Sequence, residues 1–123
     1  MNINYIDRIA LSQFYSSEEK QSIYQMLCGM MIIDKDADPR EKRIIEEVVE
    51  IIGLTPSERQ ASRVMSNERQ NIVLKKMDTL KKCYLAKFMA QVALADGVVT
   101  REEDLYFNYY TQMLGLPADP DDL

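Results

Sequence analysis

"DPREKRIIEEVVEIIGL", residues 38–54, holds a whole helix between its start and stop signals. Asp38 stands where an N-cap acid can accept from free backbone amides, and Pro39 suits the first helical position. Glu41, at the third position, faces the positive end of the helix dipole. Ile44, Ile45, Val48, Ile51 and Ile52 follow at intervals of three and four, which gathers them on one side of a helix. Gly53 closes it, because glycine adopts the left-handed backbone of a helix end without a steric cost. The same grammar returns 62 residues later in "TREEDLYFNYYTQMLGL", residues 100–116.

Residues 24–56 lie over 86–118 without a gap. Asp34 falls on Asp96, Glu41 on Glu103, Gly53 on Gly115 and Leu54 on Leu116. The apolar pattern follows, pairing Leu27 with Met89, Ile44 with Tyr106, Ile45 with Phe107 and Val48 with Tyr110. Two copies of one helix–loop–helix unit, about 20–56 and 80–118, fit this best, each covering the apolar face of the other. The fold class expected is all-α: a single domain over residues 1–123, a pseudo-twofold bundle with an acidic tail at 118–123.

Elsewhere the punctuation is helical too. Ser16-x-x-Glu19 has the form of a capping box before a helix that ends near Asp34. Thr55-Pro56-x-Glu58 opens a short helix through about Met65, and another covers Glu68 to Lys76. Asp78 can cap a longer helix running to Ala95. That makes six or seven helices, and no run alternates as a half-buried strand does.

Composition narrows the chemistry. The 123 residues include no histidine, which removes the commonest general base and the commonest transition-metal ligand. Cys28 and Cys83 form no CxxC pair and are expected to be free, buried thiols. No apolar run is long enough to cross a membrane, and the N-terminal pattern lacks a signal-peptide layout, so a cytoplasmic location is expected. The net charge is −5, yet residues 59–87 hold eight bases against two acids. This basic middle could attract the acidic remainder of the chain, or a second copy.

The loop before Asp38 resembles a calcium loop, with Asp34, Asp36 and Asp38 at positions 1, 3 and 5. Position 6 is Pro39 rather than glycine, however, and position 12 is Ile45, a core residue rather than a bidentate glutamate. It is not an EF-hand. Two readings of the acids remain. Glu41 and Glu103 can serve as N3 capping partners while Asp34 and Asp96 bond their own loops. Alternatively, Asp34, Glu41, Asp96 and Glu103, helped by Asp36 and Asp38, could bind a hard divalent cation such as Ca²⁺ or Mg²⁺.

"ALADGVVTREEDLYFNYYTQMLGLP", with its Ala-Asp-Gly, a glutamate seven residues after the aspartate and a closing Gly-Leu, resembles the tellurite-resistance TerB-like family. "MLCGMMIIDKDADPREKRIIEEVVEIIGL" fits it more loosely, with Lys35 where the second copy has Gly97. The resemblance covers about residues 20 to 118. It implies an all-helical domain of bacterial stress proteins, also found as an appended module, whose loop acids are proposed to bind cations. Carried over, the loop aspartate is Asp34 or Asp96 and the glutamate Glu41 or Glu103.

An enzyme is not expected: neither cysteine has a base at hand, and there is no glycine-rich phosphate loop. The basic segment has few exposed aromatics and the chain is acidic overall, so nucleic acid is not an expected partner. Two functions remain: an interaction module whose partner is another protein or a second copy in a homo-oligomer, and a small cation-binding stress protein. Tyr109 aligns with Glu47 and should face outward, where tyrosine favours contact with a partner.

Overall fold

A computed structural model describes residues 12–33, 38–95, 97 and 99–116. Six α-helices make up this part: α1 (Ser17–Ile32), α2 (Pro39–Ile52), α3 (Pro56–Ser62), α4 (Asn67–Lys76), α5 (Thr79–Leu94) and α6 (Arg101–Leu114). Among the described residues there is no strand. The expected all-α class is thus observed.

Each helix starts where a side chain can replace the missing intrahelical acceptor. Ser16, Thr55 and Thr100 form closed capping boxes with Glu19, Glu58 and Glu103. Asp38 accepts from the Arg40 amide, Ser66 from the Arg69 amide and Asp78 from the Lys81 amide. The Ser66 cap starts α4 at Asn67, one residue before the sequence reading, and α3 stops at Ser62 rather than near Met65. α1 likewise ends at Ile32.

Gly53 and Gly115 both adopt left-handed backbone, at φ 71° and 75°. Gly53 N–H donates to Glu50 O and Leu54 N–H to Val49 O; Gly115 and Leu116 repeat both bonds to Gln112 and Thr111. Every one of these positions differs by 62 from its counterpart. So do both ends of α1 and α5, and both ends of α2 and α6.

α1 is the central rod and touches each of the other five helices. Its Ile23, Met26, Leu27 and Met30 are fully buried, as are Leu85, Phe88, Met89 and Val92 of α5. α2 adds Ile45, Val48, Ile51 and Ile52, and α6 adds Phe107, Tyr110 and Leu114 to the same core. Burying each large side chain contributes roughly 1.5–3 kcal/mol before chain entropy is counted. Ile44 and its counterpart Tyr106 are only half-buried at the core margin, where the sequence pattern had put them fully inside. Cys28 and Cys83 are free but also half-buried.

Three of the eight bases in the basic middle of the chain form internal ion pairs among the described residues. Arg59 binds Glu46, Arg69 binds Glu18, and Lys81 binds Glu19 at 2.9 Å. These join α3, α4 and α5 to the acids of α1 and α2. Among the described residues no helix is long and apolar enough to cross a membrane.

Candidate functional site

Two of the capping acids, Glu103 and Asp38, cap the helix starts their sequence context marks. Glu103 accepts from the Thr100 amide at 3.2 Å and from the Thr100 hydroxyl at 3.1 Å, while Thr100 Oγ1 accepts from the Glu103 amide. Asp38 is held by the Arg40 amide at 2.7 Å and by its guanidinium at 3.0 Å, and these bonds keep its carboxyl below the usual carboxylate range. Ordinary helix caps are solvated, yet Glu41 and Glu103 are 1% and 0% exposed. Asp34, Asp36 and Asp96 lie outside the described residues. Among the described residues no three acidic or thiol side chains gather as a metal site would require.

A concave feature of the described residues lies elsewhere, on a face that the sequence reading approached only through Tyr109. An open groove of about 980 Å³ runs between α1, the α3–α4 corner and α6. Its origin is a contact between helices. A Cβ on Gly29 would stand 2.5 Å from the Tyr106 hydroxyl, so only glycine lets the ring lie across α1. Tyr106 then donates to Met26 O at 2.8 Å, and burial pushes its hydroxyl pKa up. Tyr106 and Tyr110 meet at 4.8 Å with their rings tilted by 46°, and Tyr109 meets Tyr110 edge-on at 5.2 Å. Tyr109 is 57% exposed, as its alignment with Glu47 predicts.

On the α1 wall, Tyr24 accepts a hydrogen bond from Arg59 Nε at 2.8 Å. Arg59 is itself fixed by both oxygens of Glu46. This ties α1, α2 and α3 behind the groove. Cys28 lies on the same wall, and burial pushes its thiol pKa up, so it stays protonated and a poor nucleophile. Ile32 and Ile33 form the exposed end of the wall. Gln25 donates to Met65 O at 2.6 Å, while its buried Oε1 has no donor among the described residues.

α4 supplies amides to the opposite side. Gln70 is 1% exposed and donates to the Tyr110 hydroxyl at 2.7 Å and to Asn71 Oδ1 at 3.3 Å. The buried glutamine therefore sets both the tyrosine hydroxyl and the Asn71 amide. Asn67, one turn earlier, lines the same side. Arg63 is the one charged residue of the lining, is exposed, and has no carboxylate partner among the described residues.

Sequence reasoning missed the groove, although one signal was present. A glycine inside an otherwise strong helical pattern, as in "MLCGMMI", generally marks a close approach by another element. Comparison with protein-family models, curated proteins and solved structures found no match for this chain.

Proposed function

We propose that this chain is a non-enzymatic, TerB-like helical module, built from two copies of one unit, that binds a protein partner in the tyrosine-lined groove. The observation that carries this reading is the groove's make-up. Tyrosine and arginine are enriched where proteins meet, and here tyrosines on two helices and Arg63 at the end of α3 stand with two exposed isoleucines alongside. The lining offers shape, apolar area and hydrogen bonds, while its thiol is protonated. The 62-residue match of helix ends, caps and left-handed glycines supports the two-copy origin. The resemblance of the motif would place the module among cytoplasmic bacterial stress proteins related to tellurite resistance.

The test is capture of partners from the native host by the intact chain. Partners held by the native chain and by Glu50→Lys should be lost from Ile33→Asp and Tyr109→Asp. Retention by both groove variants, with their folds intact by circular dichroism, would contradict the reading.

One observation favours a second reading, in which the loop acids hold a divalent cation. Glu41 and Glu103 are buried, at equivalent places, beside the loops that carry Asp34 and Asp96. A ligand of the folded state raises the melting temperature once it exceeds its dissociation constant. Millimolar Ca²⁺, Mg²⁺ or Mn²⁺ should then raise it, and Asp34→Asn with Asp96→Asn should abolish the rise. An unchanged melting temperature at millimolar metal removes this reading.

A further inference from the structure

The groove is unlike the apolar trough that an amphipathic helix needs. A helical ligand satisfies its own backbone and asks only for apolar contact. Here the α4 side presents Asn67 and Asn71 one turn apart, with Asn71 oriented by the buried Gln70. Side-chain amides carry both donors and acceptors, so they match a chain whose own N–H and C=O groups are unpaired. The facing tyrosines add flat apolar faces with polar tips, which receive a side chain and a backbone group together. Arg63 contributes a guanidinium, and among the described residues the lining holds no aspartate or glutamate. A ligand carboxylate would find a two-pronged donor there.

We propose that the groove binds an extended peptide segment of a partner protein, in which a carboxylate side chain lies within three residues of an apolar one. This rests on the reading of the chain as an interaction module and specifies what that module recognises. The apolar side chain sits against Tyr109, Ile32 and Ile33, the backbone bonds to the α4 amides, and the carboxylate pairs with Arg63. Single-stranded nucleic acid also stacks on tyrosine, but it needs a row of cations along its backbone. The lining has one, on a chain of net charge −5.

The experiment is selection of a random dodecapeptide phage library on the intact chain, followed by affinity measurements with synthetic copies of the winners. The winners should carry Asp or Glu within three residues of an apolar side chain. Arg63→Glu should weaken them at least about tenfold, equivalent to about 1.4 kcal/mol, with only a small drop in melting temperature, because Arg63 is exposed at the end of α3, where a negative charge is mildly unfavourable. Replacing the peptide acid by lysine should restore affinity for Arg63→Glu, and Asn71→Ala should weaken all winners severalfold. Winners that are basic, or that turn helical when bound, while still requiring Tyr109 and Ile33, overturn the extended acidic peptide and leave the interaction module standing. No winners, or winners indifferent to every groove substitution, overturn both. An oligouridylate that binds more tightly than any winner and is lost in Arg63→Glu assigns the groove to nucleic acid, and also overturns the proposal.

Discussion

Gly29 and Tyr106 form a pair in which each residue makes sense only through the other. Alanine normally improves a helix interior over glycine by about 1 kcal/mol. Here the added methyl would collide with the Tyr106 hydroxyl at 2.5 Å, while the next ring atom is a tolerable 3.4 Å away. Gly29→Ala should therefore destabilise the native protein by about 1–2 kcal/mol, since the ring must shift and lose its bond to Met26 O. In a Tyr106→Phe background the same change should stabilise it by about 0.5–1 kcal/mol. Urea denaturation of the four proteins checks the reversal of sign, and a cost in both backgrounds would refute this account of the contact. The pair was invisible in the sequence because its two members lie 77 positions apart on different helices. Five of the six caps, in contrast, were legible within a few consecutive residues, and only that of Ser66 was passed over.

Among the elements, α2 and α6 are the most alike, and their ends allow a matched comparison. Gly53→Ala and Gly115→Ala both force alanine into left-handed backbone, at about 1–2 kcal/mol each. Gly53→Ala should cost more, because its methyl also meets the Ser12 backbone oxygen at 3.3 Å, whereas no described residue lies within 4 Å at Gly115. Equal costs in chemical denaturation would contradict this. At the start of α6, Thr100→Ala removes the acceptor of the Glu103 amide and a donor to its buried carboxylate. A loss of about 1–2 kcal/mol is expected. Helix existence and type followed from three- and fourfold spacing and from capping residues. Helix ends were less legible: α1 and α3 stop earlier than their apolar patterns do, because where a helix stops depends on what packs beyond it.

At the scale of the whole molecule, three ion pairs carry charge from helix to helix. Arg59 holds the Glu46 carboxyl below its usual range by direct hydrogen bonds. A carboxylate with a lowered folded pKa adds stability above its unfolded value, near 4.3, and loses it as pH falls through the folded value. Stability should thus decline below about pH 4.3, and Glu46→Gln should flatten that decline. At neutral pH the same variant should cost no more than about 1 kcal/mol, since the pair is partly solvated. A decline equally steep in Glu46→Gln would argue that other acids carry it. The uneven charge was plain in the sequence, but its use in internal pairs was not, because pairing needs the helices' relative placement. The groove was hidden for the same reason: two of its tyrosines, Tyr106 and Tyr110, looked like core, and the helix that carries its amides lies far from them in sequence.

The central claim is that a partner binds where Tyr109, Ile33 and Arg63 meet. Site-specific photo-crosslinking in the native host tests it most directly, with a benzophenone amino acid placed in turn at positions 33, 109, 50 and 87. All four residues are exposed, but only the first two line the groove. Discrete crosslinked species from 33 and 109, weakened by Arg63→Glu and missing at 50 and 87, are the result predicted. Crosslinks at 50 or 87 with none at 33 and 109 would contradict it.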